Sequence, residues 1–207
     1  VNDCPIELAQ STFKDIKKQY EKINILLTGY GGAGPYPQCF ENLNLKEKIT
    51  AAQLKEKQFL NQAIKYIDEI KPDYYLPFAG TYTLTGKLSN LQSLRGVSSI
   101  DNAYNFFENY YSLKNLSNTI KPLKLNTGST FDFNIREYDT VYQKMDYDKY
   151  KSYIDLKLST QLLHYEKDEF PNFDEIYELS KKAHPKFLDK MMMNNVELKS
   201  DIFIKVN

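Results

Sequence analysis

The chain has 207 residues, enough for one large domain or two small ones, with 42% apolar and 26% charged residues, an ordinary globular balance. Lys+Arg and Asp+Glu both number 27, so no chain-wide pull toward nucleic acid or an anionic membrane surface is expected. Two cysteines, Cys4 and Cys39, make no disulfide framework; with no apolar run near about 18 residues, the expectation is a cytoplasmic protein with reduced thiols.

Apolar residues at helical spacing (Ile6, Leu8, Phe13, Ile16, Tyr20) predict a helix over 6–20, with Pro5 suited to its start. A strand follows over 23–28. It empties into Gly29-Tyr30-Gly31-Gly32-Ala33-Gly34-Pro35-Tyr36-Pro37-Gln38-Cys39-Phe40. The stripe Leu45, Ile49, Ala52, Phe59, Leu60, Ala63, Ile64 and Ile67 predicts a long helix over 45–70, ended by Lys71-Pro72. A second strand over 73–78 runs into Phe78-Ala79-Gly80-Thr81-Tyr82. Two strands that each end in a Gly/Pro-rich loop are how α/β proteins build a site at the carboxyl edge of a sheet.

Residues 83–99 read as loop, and 100–113 as a helix whose aromatic face packs a core. Residues 122–133 read as a hairpin turning at Asn126-Thr127-Gly128-Ser129. Helical patterns return over 147–163 and 173–195, separated by Phe170-Pro171-Asn172, and a short strand closes the chain. A composition shift near 140 divides an α/β part, residues 1–140, from a helical appendage, residues 141–207. The chain opens without Met on Val1-Asn2-Asp3-Cys4-Pro5 and closes on an apparent strand cut short, and is expected to be a fragment of a longer polypeptide.

The glycine loop could hold phosphate on its backbone N–H groups, but it lacks the Gly-Lys-Ser/Thr of a Walker loop, and Pro35 and Pro37 break a G-x-G-x-x-G continuation. His164 and His184 are 20 positions apart, against the three or four of a shared metal face. Cys39 has no base beside it in sequence. Arg95 and Arg136 are the only arginines; Arg95 follows the second loop and could clamp an anion. Asp3 precedes the first helix, where a carboxylate either caps it or faces the sheet edge.

Asn2-Asp3-Cys4-Pro5, the run Gly31-Gly32-Ala33-Gly34-Pro35-Tyr36-Pro37-Gln38-Cys39-Phe40, Lys71-Pro72 and Pro77-Phe78-Ala79-Gly80 together resemble the metallo-β-lactamase-fold superfamily. The nearest branch is that of the hydrolase-like domains of CMP-N-acetylneuraminate hydroxylases and their bacterial relatives. The resemblance covers residues 1–135. It implies the second half of a four-layer αββα sandwich, with the His-x-His-x-Asp-His ligand motif in a first half, or a partner chain, not present here. It places Asp3 at a metal-bridging aspartate; the two strand-end loops and the segment after them supply the expected substrate-binding residues Tyr30, Gly31, Gly32, Gln38, Phe78, Tyr82 and Arg95. A family histidine position is held here by Pro77-Phe78-Ala79-Gly80 without histidine. What the resemblance implies is a hydrolase-like protein acting on a small anionic substrate, such as a sugar or nucleotide-sugar, through metal-activated water. The metal, zinc or iron, would belong to the full-length protein and none to this fragment. Two alternatives stand beside it: a substrate-positioning domain of an iron-dependent nucleotide-sugar hydroxylase, and a metal-free binding or scaffold domain.

Overall fold

The computed structural model describes residues 4–169 and 172–197. The chain is of mixed α/β class and forms two compact units, Val1–Leu162 and Leu163–Asn207. The composition shift near 140 falls inside the first. Asp3 and the expected terminal strand lie outside the described residues.

In the first unit, helix α1 (Ile6–Gln19) turns Ala9 and Phe13 inward. Strand β1 (Ile25–Gly29) leads through the glycine loop to helix α2 (Leu45–Ile70) and strand β2 (Tyr74–Phe78). Helix α2 starts on a reciprocal cap: Asn44 Oδ1 accepts from the Glu47 N–H at 3.1 Å, and Glu47 Oε2 accepts from the Asn44 N–H at 2.8 Å. It stops where Lys71 enters the left-handed region, φ 53°, just before Pro72. Its apolar stripe is buried at Ala52, Leu60, Ala63, Ile64 and Ile67 and half-buried at Phe59, while Leu45 and Ile49 in the first turns remain exposed.

Strands β1 and β2 pair in parallel, from Ile25 opposite Tyr74 to Gly29 opposite Phe78. After a 3₁₀ helix (Gly86–Leu94) and helix α3 (Ile100–Leu113, capped by Ser99 Oγ), strand β3 (Lys121–Pro122) adds in parallel beside β2. Leu26, Thr28 and Tyr75 face the helices. Tyr75 meets Phe107 and Tyr111 of α3 at ring-centroid distances of 5.8 Å each. Phe13 packs edge-on to Tyr66 at 5.6 Å. Asp68 of α2 ties the two long helices, accepting from Tyr110 OH at 2.7 Å and Tyr111 OH at 3.1 Å.

The hairpin expected over 122–133 does not form. Lys121-Pro122 joins the parallel sheet, and Leu123 is buried, its N–H donating to Tyr75 O and its carbonyl accepting from Tyr104 OH, both at 2.8 Å. The antiparallel pair is instead β4 (Phe131–Asp132) with β5 (Glu137–Tyr138). Its turn is built without glycine: Asp132 Oδ1 accepts from the Asn134 N–H at 2.7 Å, and Arg136 takes φ 60°. Phe131 and Phe133 of this hairpin lie against Tyr74, on the sheet face opposite the helices. Helix α4 (Tyr147–Tyr153) passes into a π turn (Ile154–Leu158) that buries Ile154. It ends earlier than the periodicity to 163 predicted.

The second unit holds a 3₁₀ turn (His164–Lys167) and helix α5 (Phe173–Met193), started by an Asn172–Glu175 reciprocal cap. Among the described residues no helix is long and apolar enough to cross a membrane.

Candidate functional site

Because β1 and β2 are parallel neighbours in register, the loops that follow them leave the same edge of the sheet. They touch without any space between. A Cβ built on Gly31 would sit 2.0 Å from the Gly80 carbonyl oxygen, and one on Gly80 would sit 2.2 Å from the Tyr30 ring. Gly32 meets the Phe59 ring of α2 in the same way, at 2.4 Å. These glycines are there for close approach.

Gln38 joins the loops chemically. It is buried, and its Nε2 donates to Gly34 O and to Tyr82 OH, the latter at 3.1 Å; Tyr82 OH in turn lies 3.3 Å from Gly34 O, to which it donates. The Gln38 Oε1 has no partner among the described residues. The Arg95 guanidinium lies over the Tyr82 ring, 5.4 Å from its centroid. Arg95 Nε donates to Gln92 O at 2.7 Å, while its Nη1 is buried without a hydrogen bond. Among the described residues no carboxylate lies within ion-pairing distance of Arg95.

Lys55 of α2 braces both segments: its Nζ donates to Tyr36 O at 2.8 Å and to Arg95 O at 3.1 Å. Burial lowers its pKa from the ordinary lysine value. Next in the chain, Gly96 takes φ 65°, and a Cβ there would lie 2.9 Å from Ala52 O, so the segment after Arg95 is pressed onto α2.

Beside these residues is a cavity of about 420 Å³. Gln53 and Glu56 of α2, Thr81-Tyr82-Thr83, Gln92, Arg95, Met145, Tyr147 and Tyr150 contribute to its wall. Of the residues the sequence pointed to, Tyr82 and Arg95 line it. Tyr30, Gly31, Gly32, Gln38 and Phe78 do not; they form the packed support behind it. Tyr30 is buried, and that burial, with Tyr147 and Asp101 nearby, pushes its phenol up to about 12.

Sequence reasoning passed over Lys55, Gln53, Glu56, Tyr147 and Tyr150. The first three look like the solvated face of a charged helix. Tyr147 and Tyr150 are one helical turn apart at the start of α4, a spacing that signals a shared face but not what it faces. Cys39 is exposed and Cys4 half-buried. Among the described residues no cluster of three or more His, Cys, Asp or Glu side chains could hold a metal, so the residues in view do not fit a zinc or iron centre, and Asp3 is not among them. No protein-family model, curated protein or solved structure matches the chain.

Proposed function

We propose that this chain supplies the substrate edge of a metallo-β-lactamase-type hydrolase-like protein, and that the cavity beside Tyr82 and Arg95 takes a small anionic substrate, a sugar or nucleotide-sugar. The observation that carries the reading is Arg95: a half-buried guanidinium lying over the Tyr82 ring, at a cavity wall, without a carboxylate partner among the described residues. With Nε engaged by Gln92 O and Nη1 buried, what this guanidinium offers a carboxylate or phosphate is a fixed positive charge at the wall. Amide, hydroxyl and aromatic groups on the remaining wall suit the hydroxyls and C–H faces of a sugar.

The αββα sandwich is part of the same proposal. Ile25, Leu76 and Phe78 alternate with the buried Leu26, Tyr75 and Pro77 and are only half-buried, and parallel sheets are ordinarily covered on both faces. The β4–β5 hairpin covers that face only at Tyr74; a second sheet over the rest of it, from the other half of such a domain or from a partner chain, would complete the sandwich. Zinc or iron would come with that half. No step through a metal is assigned to the residues in view, whose part is to bind and orient the anion.

Calorimetric titration with glucose 1-phosphate and UDP-glucose tests the reading. Binding is expected, and Arg95→Gln is expected to weaken it by about 1.5–3 kcal/mol, the range of a hydrogen bond to a charged group. Absence of binding, or equal binding by Arg95→Gln, overturns it.

A further inference from the structure

One wall of the cavity comes from residues 145–150, which belong to no part of the resemblance and follow the β4–β5 hairpin. This stretch is thinly supported. Of residues 141–150, all but Tyr142 and Tyr150 are exposed, so little apolar burial holds it in place. Near its start Asn126 exchanges two hydrogen bonds with the Gln143 backbone, at 2.8 and 2.9 Å, and the Tyr142 ring meets Tyr104 at 5.7 Å; toward the cavity it is held by one carboxylate. Asp101, in the first turn of α3, is only 7% exposed. Its Oδ1 accepts from Tyr142 OH at 2.9 Å, and its Oδ2 accepts from the Met145 N–H at 3.3 Å and from Tyr147 OH at 3.0 Å. Three bonds to a single side chain thus hold three residues within a span of six, 142–147. Among the described residues no cation pairs with Asp101. A nearly buried carboxylate without a counter-charge is unfavourable unless hydrogen bonds satisfy it, and here every one of those donors belongs to the cavity wall or its approach. At the far end Tyr150 OH is hydrogen-bonded to Thr83 Oγ1, itself a lining residue.

We infer that Asp101 is a positioning residue, which latches residues 142–147 as a strap so that Met145, Tyr147 and Tyr150 wall the cavity and recognise the uncharged, ring-bearing part of the ligand. The inference rests on the anion-binding reading and divides the labour within it. Arg95 takes the charge, and the strap, through the faces of Tyr147 and Tyr150, takes the body of the molecule. The latch works through geometry: Asp101 does not line the cavity.

The test uses the 207-residue chain and two probes, inorganic phosphate and glucose 1-phosphate, which share the anion and differ in the sugar. Asp101→Asn keeps the side chain's size but replaces one acceptor oxygen by a donor, so it cannot serve all three donors. Wild type is expected to bind the sugar phosphate more tightly than phosphate. Asp101→Asn is expected to lose that preference while holding phosphate within about twofold, and to exchange its amides over 142–150 about tenfold faster or more, with α2 and α3 unchanged. Tyr147→Phe and Tyr142→Phe, each removing one hydroxyl, are expected to give smaller changes of the same kind and serve if Asp101→Asn does not fold. Wild-type exchange over 142–150 in Asp101→Asn, or a retained sugar preference, overturns the strap and leaves the anion reading standing. Phosphate binding that survives Arg95→Gln, or no binding of either probe to wild type, overturns the anion reading and the strap's ligand role with it.

Discussion

Gly31→Ala is the most direct perturbation of the loop convergence on which the site depends. The added methyl would fall 2.0 Å from Gly80 O, 2.9 Å from Gly80 C and 3.2 Å from Gly80 Cα, all of them backbone atoms that no rotamer change can move away. Ordinary contacts of this kind lie near 3.5 Å, so the two loops must part by about 1.5 Å. A movement of that size is more than the Gln38–Tyr82 hydrogen bond, 3.1 Å as it stands, can absorb. Forced overpacking of a tight contact costs about 1–3 kcal/mol, and backbone against backbone belongs at the upper end. In a chain of this length that is a fall of about 6–12 °C in melting temperature. The control is in the same loop: a Cβ on Gly34 meets nothing within 4 Å, so Gly34→Ala is expected to be neutral or to gain a few tenths of a kcal/mol through the unfolded chain. Thermal melts followed by circular dichroism compare the two. If Gly31→Ala melts within about 2 °C of Gly34→Ala, less than the shift about 1 kcal/mol produces, the loops are not in the contact described.

Three other outcomes are expected. Tyr30, Tyr75, Tyr104 and Tyr111 are at most 2% exposed, and burial raises each of their pKa values; their stabilising effect is whole below about pH 10, where unfolded phenols begin to ionise, and is lost as pH climbs toward the raised folded values, by about 6 kcal/mol for the four together at pH 11. The part of the tyrosinate absorbance that belongs to these four should therefore appear together with the loss of circular dichroism in one cooperative step, and complete ionisation of all the tyrosines near pH 10 with native dichroism would contradict it. Lys55→Met removes the brace between Tyr36 O and Arg95 O and is expected to cost about 1–2 kcal/mol and to weaken phosphate binding; unchanged melting and binding would show that the brace is idle. After dialysis the 207-residue chain is expected to retain no stoichiometric zinc or iron, because its described residues offer no ligand cluster; about one tightly held equivalent by elemental analysis would contradict that.

Much of the architecture could be read from local signals. Helix α2 runs from Leu45 to Ile70 as its stripe predicts, because Asn44 and Glu47 start it and Lys71-Pro72 stop it within the same local sequence. Helix α3 likewise begins where Ser99 can cap it. The hairpin misled because Asn126-Thr127-Gly128-Ser129 is a turn signal of the usual kind, whereas the turn that pairs strands uses Asp132 and a left-handed Arg136, a conformation no composition rule assigns to arginine. At the site, Tyr82 and Arg95 were legible as residues next to a strand-end loop. Asp101 was not, since nothing local distinguishes a carboxylate that caps, one that is solvated, and one that holds a segment more than 40 positions further along the chain.

The glycine loop, the most conspicuous feature of the sequence, turns out to be occupied by packing. Gly31 is filled by Gly80, Gly32 by Phe59, and Gln38 is spent on Gly34 and Tyr82. With Gly31 and Gly32 taken up by packing, the proposed anion-binding role falls to a side chain rather than to the backbone N–H groups of this loop. Glycine's part in the site is thus indirect. By letting two backbones approach within van der Waals distance it sets Tyr82 beside Gln38, Tyr82 gives Arg95 a ring to lie on, and Lys55 anchors both neighbouring carbonyls. Lysine at position 95 would keep the charge but lose the Nε bond to Gln92 O and the delocalised cation over Tyr82. In the proposed function the chemistry therefore rests on one cation, Arg95, and its placement on the glycines packed behind it.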